Sequence, residues 1–162
     1  MVVYKLFSEG YDEIDYQLIA IHSTIEDFRL AYFINKSLSI NLSKSPEDIS
    51  IHENSREMNF SRFTFQDTEN NVLWDFFQNK SVDSKNSSLL NTGLFADKIS
   101  QVSSQAHLLP EFKRVDFFLK VEKQFAIDEI QETISRIKKI QKVSTVYSID
   151  AEKVKSKNNL IF

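Results

Sequence analysis

A strand–helix–strand pattern fills residues 115–149, and it constrains the fold more than any other feature. Apolar side chains at alternate positions of 115–122 predict a strand. Isoleucines at steps of three and four then predict an amphipathic helix over about 127–140, with acidic residues near its start and basic residues near its end, as the helix dipole favours. The apolar positions of 143–149 predict a final strand.

A second strand and helix are predicted near the start of the chain. The apolar run within Tyr16–Ser23 indicates a strand covered on both faces. Ser23 and Glu26 have the spacing of a capping box, which predicts a helix from Thr24 to about Leu38 that is heavily buried.

The middle of the chain predicts shorter strands. They are expected around 49–51, 58–65 and 72–78, with a hairpin loop at 67–71. The apolar positions change face between Phe60 and Phe63, which indicates a bulge or a strand covered on both faces. We also expect the residue before Pro110 to be non-helical and an extended segment to follow it.

These patterns predict a single domain spanning 1–162. It is an α+β fold in which an antiparallel sheet carries two main helices packed on one face, similar to ferredoxin-like regulatory domains. The Ser- and Asn-rich residues 81–105 predict a long flexible loop, and 153–162 predicts a C-terminal tail.

Composition excludes several kinds of chemistry. The chain has no cysteine, so disulfides, thiolate metal sites and cysteine nucleophiles are ruled out. Its two glycines cannot build a phosphate-binding loop, and its three histidines (His22, His52 and His107) share no metal-ligand spacing. Serine-nucleophile motifs are absent as well. The sequence therefore predicts neither an enzyme nor a cofactor or metal site.

Charge and hydropathy bear on partners and location. The net charge of −3 argues against generic attraction to nucleic acid or to an anionic membrane. No stretch approaches the roughly 20 apolar residues of a membrane span, and the first residues lack the pattern of a signal peptide. We therefore expect a cytoplasmic protein without a membrane partner.

The nine residues LPEFKRVDF, Leu109–Phe117, resemble the signature of the IPExxxVDY family, small Bacteroidota proteins of uncharacterised function. Residues 16–38 and 148–162 also resemble the terminal segments of that family. The chain departs from the signature by having Leu for Ile and Phe for Tyr, and the resemblance implies no activity. The signature positions are Leu109, Pro110, Glu111, Val115, Asp116 and Phe117.

Glu111 and Asp116 are the two carboxylates of this signature. If they converged, they could serve general acid–base chemistry. The favoured interpretation is structural: Glu111 accepts backbone amides, and Asp116 pairs with Lys113, with Arg114 or with a neighbouring strand.

Two segments are candidate interaction surfaces. A basic edge, formed by Arg136, Lys138, Lys139 and Lys142, could contact RNA. The apolar end of the sequence, Leu160, Ile161 and Phe162, is expected either to fold back onto the core or to dock onto a partner or a second copy of the chain.

The leading functional hypothesis is a non-catalytic protein-interaction or regulatory module that includes self-association. One alternative is a ligand-sensing domain of the amino-acid-binding ferredoxin-like type. Another is an RNA- or ribosome-associated protein that uses its basic C-terminal third.

Overall fold

Two α-helices and ten β-strands occur in the part of the chain that the computed structural model describes, residues 16–53, 55–82, 105–123 and 126–162. Three short 3₁₀ helices accompany them. In chain order the elements are β1 (Gln17–Ser23), α1 (Asp27–Leu38), β2 (Ser43–Lys44), β3 (Ile49–Glu53), β4 (Arg56–Phe60), β5 (Arg62–Asp67), β6 (Val72–Gln78), β7 (Lys80–Val82), β8 (Gln105–His107), a 3₁₀ helix (Pro110–Phe112), β9 (Phe117–Glu122), α2 (Ile127–Lys138), β10 (Val143–Ile149) and two further 3₁₀ helices (Ala151–Lys153 and Lys157–Leu160).

Six of the strands form the main sheet, in the order β10-β1-β9-β6-β5-β2, and every neighbouring pair is antiparallel. It follows that β1 and β6 run parallel on either side of β9, and that β9 and β10 run parallel on either side of β1. The antiparallel sheet of the predicted α+β fold is confirmed.

Both helices pack on the same face of this sheet, as predicted. Leu30 and Ile34 of α1, and Ile134 and Ile137 of α2, belong to one buried cluster with inward side chains of β1, β6 and β9. The prediction that α1 is heavily buried is wrong, because its opposite side exposes aromatic residues to solvent.

The other face of the sheet is covered without an α-helix. The β3–β4 hairpin, the segment around Leu108 and Leu109, and the residues after β10 pack there on β1, β6 and β9 in a second buried cluster. Phe60 belongs to this cluster, whereas Phe63 belongs to the helix-side cluster. The predicted change of face between these two residues is confirmed, but 58–65 is not a single strand: the chain leaves β4 at Ser61 and enters the main sheet as β5.

The capping box predicted for α1 is wrong. The helix begins at Asp27, and Glu26 occupies the N-cap position without a side-chain cap. Ser23 remains in β1, where its hydroxyl donates to the Lys142 carbonyl at 3.1 Å and accepts the Ile25 amide at 3.2 Å.

The extended segment predicted after Pro110 is also wrong. Pro110–Phe112 is a 3₁₀ helix with the proline in its first turn, where the missing N–H costs nothing. Leu109 is extended, as the following proline requires (φ −115°, ψ 92°). The strand therefore begins at Phe117, two residues later than Val115.

Both ends of the loop predicted for 81–105 belong to strands instead. Ser81 and Val82 belong to β7 and Gln105 belongs to β8, and these two strands form an antiparallel pair. Residues 83–104 lie outside the described part of the chain. The predicted tail at 153–162 is instead folded against the second cluster.

Neither of the two α-helices among the described residues is long and apolar enough to cross a membrane.

Candidate functional site

The signature segment wraps around a buried asparagine. Asn79 lies between β6 and β7 and is fully buried. Its side-chain amide donates to the carbonyls of Phe112 at 2.8 Å and Val115 at 3.0 Å, and its side-chain oxygen accepts the Leu109 amide at 2.8 Å. One side chain therefore satisfies three backbone groups of the 3₁₀ turn that would otherwise be costly to bury.

The backbone of Asn79 continues the same network. Its amide donates to the Asp116 carbonyl at 2.9 Å, and its carbonyl accepts the Leu108 amide at 2.8 Å. The sequence analysis did not identify Asn79. A single polar residue at the end of an apolar strand was its only signal, and its partners lie about 30 residues away.

Asp116 links the end of the signature segment to β1 and β7 through its carboxylate. One carboxylate oxygen accepts the Ser23 backbone amide at 3.0 Å, and the other accepts Lys80 Nζ at 2.6 Å. Of the partners considered from the sequence, the neighbouring strand is confirmed, and the cation it pairs with is Lys80 of β7.

Glu111 forms hydrogen bonds with the segment that follows β10. Its Oε1 accepts the backbone amides of Lys155 at 2.7 Å and Ser156 at 2.9 Å, and its Oε2 accepts the Ser156 hydroxyl at 3.0 Å. Burial by itself would raise the pKa of Glu111, but these hydrogen bonds outweigh it and hold the pKa below its usual value. Glu111 and Asp116 thus bind different elements and share no hydrogen-bond partner among the described residues.

The apolar end of the sequence is divided between core and solvent. Leu160 is 2% exposed and packs in the second cluster, with the Phe162 ring beside it. That ring meets Phe77 edge-on at 5.4 Å, whereas Ile161 is 80% exposed. For Leu160 and Phe162 the fold-back alternative is confirmed.

Charged side chains are buried beneath Phe162. Asp75 of β6 is 0% exposed and forms an ion pair with Arg62, at 2.7 Å from Nη2 and 2.8 Å from Nε. Lys120, directly opposite Asp75 on β9, bonds to Glu122 at 2.7 Å. The Phe162 ring lies 4.5 Å from the Arg62 guanidinium and 5.0 Å from Lys120 Nζ.

Burial raises the pKa of Asp75. The Arg62 hydrogen bond and charge, the charge of Lys120 and the Thr64 hydroxyl all act in the opposite direction, but desolvation outweighs them. Such a buried, perturbed carboxyl is a recognised marker of functional sites, although structural ion pairs perturb carboxyls in the same way.

Two open cavities lie near these elements. The first, of about 380 Å³, separates the β3 hairpin from the C-terminal residues, and the second, of about 630 Å³, lies along β10 and the start of α2. The first is lined by Glu47, Asp48, Ile49, Ser50, Ile51, His52, Arg62, Asn158, Asn159, Ile161 and Phe162. The second is lined by Tyr16, Gln17, Phe112, Ile127, Ile130, Gln131, Tyr147, Ser148, Ile149, Asp150, Ala151 and Lys153.

Several of the charged groups that line these cavities are paired within the protein. In the first, Asp48 is paired with Lys44 and Arg62 with Asp75. In the second, Asp150 caps the amide of Glu152 at 3.1 Å. Across residues 16–53, 55–82, 105–123 and 126–162, no three His, Asp or Glu side chains gather in a way that could hold a metal ion.

The predicted basic edge lies at the end of α2. Lys138, Lys139 and Lys142 are exposed, and Arg136 pairs with Glu132 at 2.6 Å. The Ser37 hydroxyl donates to the Arg136 carbonyl at 3.0 Å, which brings the end of α1 beside this edge.

Two aromatic rings on α1 are exposed to solvent. Phe28 and Tyr32 lie one turn apart on the solvent side of the helix, and the cationic Arg29 and Lys36 are exposed near them. The sequence analysis expected the whole helix to be heavily buried, because its apolar residues cover more than one stripe of α1, and so it did not distinguish these rings from the core.

The outer edge of β10 is unpaired within the described sheet, where β10 is the last strand. Its seven residues, VSTVYSI, include no charged residue and no proline. Tyr147 on this strand is exposed, stacks on His22 at 5.7 Å and hydrogen-bonds its ring nitrogen at 3.3 Å.

Comparison of the chain with protein-family models, with curated proteins and with solved structures finds no match in any of the three.

Proposed function

We propose that this chain is a non-catalytic protein-interaction module that binds a strand of another polypeptide along β10. The observation that carries the proposal is the composition of this edge, which is seven residues long and uncharged. Backbone N–H and C=O groups on an unpaired edge are a template for a further strand.

The two edges of the sheet differ in how they are protected. Natural sheets blunt their edges with short strands, lysines, prolines or bulges. The β2 edge has two of these features, because it is two residues long and includes Lys44. The β10 edge has none of them over Thr145–Ile149, and its register irregularity lies at the other end, beside Ser23. This asymmetry supports β10 as the edge that is used.

The cavity of about 630 Å³ beside β10 supports the same proposal. Ile127 and Tyr147, two of its lining residues, are large exposed apolar side chains. In strand addition, main-chain hydrogen bonds supply affinity and neighbouring pockets supply specificity. A strand bound along β10 could place side chains in this cavity.

The proposal includes no catalytic step, no cofactor and no metal. The structural roles of Glu111 and Asp116 support this, because every described partner of the two carboxylates belongs to the protein's own framework. Location in the cytoplasm and membership of the IPExxxVDY family are further parts of the proposal, and the resemblance of Leu109–Phe117 supports the latter.

We also propose a ferredoxin-like, regulatory-domain relationship for the core. Two crossovers support it: β1, α1 and β6 enclose β9, with β2–β5 inserted between α1 and β6, and β9-α2-β10 encloses β1. Such split β-α-β units are the building blocks of ferredoxin-like folds.

The test places lysines on β10 and identifies the polypeptides that the chain then binds. We expect the double substitution Thr145→Lys and Tyr147→Lys to abolish capture of bound polypeptides, including untagged copies of the chain, in quantitative affinity purification from native cells. Tyr32→Lys, at an exposed tyrosine on α1, is the matched control and should keep every partner. The same bound proteins on wild type and the edge variant would refute the proposal.

RNA binding is a second candidate, favoured by the exposed lysines at the end of α2 and by the exposed rings of Phe28 and Tyr32 on α1. Aromatic stacking combined with cationic side chains is how single-stranded nucleic acid is held. It predicts salt-dependent binding of single-stranded RNA that is lost on Lys138→Glu with Lys139→Glu, and kept on Thr145→Lys with Tyr147→Lys. Binding that ignores the first pair of substitutions would exclude this surface.

A further inference from the structure

We propose that the cavity between the β3–β4 hairpin and the C-terminal residues binds a free α-amino acid with an apolar side chain. Its volume of about 380 Å³ lies in the lower part of the range for small-molecule sites, roughly 300 to 1,000 Å³. The cavity is on the side of the sheet that carries the hairpin, and its one lining residue from the main sheet belongs to β5, four strands away from β10. Ligand binding there is separate from strand binding at β10 and does not depend on it.

Arg62 supplies the group that holds the carboxylate of such a ligand. The Asp75 carboxylate accepts from Nε at 2.8 Å and from Nη2 at 2.7 Å, which fixes the plane of the guanidinium. Arg62 lines the cavity, and its Nη1 has no hydrogen-bond partner among the residues that the structure describes. A planar guanidinium with free N–H donors is suited to a carboxylate.

The Phe162 ring keeps water away from this guanidinium. The ring lies 4.5 Å from the guanidinium and also lines the cavity, and the Arg62 side chain is only 17% exposed. A hydrogen bond between charged groups is stronger where water is excluded. A carboxylate that reaches Arg62 from the cavity is therefore held more tightly than it would be at an exposed arginine.

Glu47 supplies the opposite charge. It is exposed, lines the cavity and has no ion-pair partner in the described part of the chain, whereas Asp48 beside it is paired with Lys44. The two carboxylates repel a simple anion, and Arg62 repels a simple cation. Opposite charges in one small cavity favour a ligand that carries both, and an α-amino acid offers its carboxylate to Arg62 and its ammonium group to Glu47.

Apolar side chains form the remaining wall of the cavity. Ile161 is 80% exposed and lies there with Ile51 and the Phe162 ring. Small-molecule sites combine such apolar surface with a few polar groups that orient the ligand. The side chain of the bound amino acid is therefore expected to be aliphatic or aromatic.

A ligand also accounts for the burial of the pair that Asp75 forms with Arg62. Replacing a buried ion pair with apolar residues of similar volume is often neutral or stabilising, so such a pair is weak evidence of a role in stability. Here Asp75 holds a guanidinium rigidly at the wall of a cavity. That arrangement favours binding, because the ligand meets a group that is already oriented.

The closing experiment titrates the full chain with L-leucine, L-methionine and L-phenylalanine by isothermal titration calorimetry at pH 7. At least one of them is expected to bind and to shift the backbone amide NMR signals of Arg62 and Ile161. Two analogues of the amino acid that binds best follow, one with an amide in place of the carboxylate and one without the amino group. Each should bind at least about fivefold more weakly, because it lacks one of the two charges.

Two variants assign the charges to residues. Glu47→Gln, at an exposed position, should weaken binding of the amino acid about fivefold and leave binding of the analogue without an amino group unchanged. Arg62→Met with Asp75→Leu removes the buried pair together and should weaken binding about a hundredfold. Glu57→Gln, on β4 but outside the cavity lining, is the matched control for Glu47 and should bind as wild type does.

The outcomes are distinct. Absence of binding by all three amino acids at about 10 mM overturns the proposed site. Undiminished binding by a folded Arg62→Met and Asp75→Leu protein does so as well, and circular dichroism checks the fold. If that variant does not fold, Glu47→Gln and the two analogues decide. Equal binding of the analogue without an amino group overturns the assignment to amino acids, and none of these results bears on β10.

Discussion

The Glu111 carboxylate accepts two hydrogen bonds from Ser156, one from the backbone amide at 2.9 Å and one from the hydroxyl at 3.0 Å. The two residues lie 45 positions apart in the chain. Their contact joins the 3₁₀ turn after Pro110 to the segment that follows β10. This contact adds to the packing of Leu160 and Phe162 in holding the C-terminal residues over the sheet.

Neutralising Glu111 should loosen this attachment. We expect Glu111→Gln to lower the free energy of unfolding by about 1 to 2 kcal/mol at pH 7, because a charged acceptor of three hydrogen bonds becomes a neutral one. Urea unfolding followed by circular dichroism measures the change. Glu57→Gln, on the exposed side of the β3–β4 hairpin, is the matched control and should change stability by less than about 0.5 kcal/mol.

The stability difference between wild type and Glu111→Gln should depend on pH with a definite sign. The pKa of Glu111 is lower in the folded state than in the unfolded chain. Its stabilising contribution is therefore complete above the unfolded pKa, about 4.3, and is lost as pH falls through the folded pKa. The stability gap between wild type and Glu111→Gln should close on acidification, and a gap that stays constant from pH 7 to 3 would contradict this account.

Removing the Asn79 side chain should be more damaging. Asn79→Ala leaves two buried carbonyls and one buried amide of the signature turn without partners, and we expect a loss of about 3 kcal/mol. Asn79→Asp should be at least as harmful, because a carboxylate would face the carbonyls of Phe112 and Val115. Thermal and urea unfolding test both, with Asn41→Ala at an exposed position as the control. An Asn79→Ala protein as stable as wild type would refute this role.

The sequence predicted well those elements whose buried face follows from a short periodic pattern of apolar residues. The alternation before residue 123, the isoleucine stripe of α2 and the apolar positions of β10 each report on one element and its buried face. These elements appear close to their predicted places, although β9 begins at Phe117, two residues late, and α2 ends at Lys138, two residues early. The two-helix face of the sheet followed from the same patterns.

Errors arose where a local rule competes with a distant contact. Ser23 has the spacing of a helix cap, yet its hydroxyl bonds to the carbonyl of Lys142, 119 residues away. The rule for residues before proline constrains Leu109 alone, and the residues after Pro110 were free to form a turn around Asn79. No periodicity reveals such a partner, since the contact exists only once the sheet is assembled.

The candidate site was predicted in part for the same reason. The chemistry of Glu111 suggested a carboxylate that accepts backbone amides, and it does so. The identity of the amides, in Lys155 and Ser156, depended on how the last residues fold back. The buried pair of Asp75 and Arg62 gave no sequence signal, because each looks like an ordinary polar position on a strand face.

Leu160 and Ile161 should respond very differently to the same substitution. Leu160 is buried in the second cluster, so Leu160→Ala should cost about 2 to 4 kcal/mol of unfolding free energy. Ile161→Ala, next to it in sequence but exposed, should stay within about 0.5 kcal/mol of wild type. Melting temperatures of the two variants measure the contrast. Equal effects would mean that the C-terminal residues do not pack as described.

Breaking the buried ion pair should cost more than replacing it. Asp75→Ala leaves the Arg62 guanidinium largely buried without its carboxylate, and we expect a loss of about 3 kcal/mol. Arg62→Met with Asp75→Leu removes both charges and keeps apolar contact with the Phe162 ring, so it should recover much of that loss. Urea unfolding of wild type, Asp75→Ala and the double variant measures these free energies. A double variant no better than Asp75→Ala would show that the charges themselves are required.

Titration of Asp75 should have the opposite sign to that of Glu111. Because burial raises the pKa of Asp75 in the folded state, the fold favours its protonated form. The stability that this form contributes is complete below the unfolded pKa of about 3.9 and is lost as pH rises through the folded pKa. Wild type should therefore lose stability relative to Asp75→Asn, whose amide does not titrate, as pH rises through that interval. Urea unfolding at several pH values measures the difference. If wild type instead gained stability relative to Asp75→Asn as pH rises, Arg62 and Lys120 would outweigh the burial of the carboxylate.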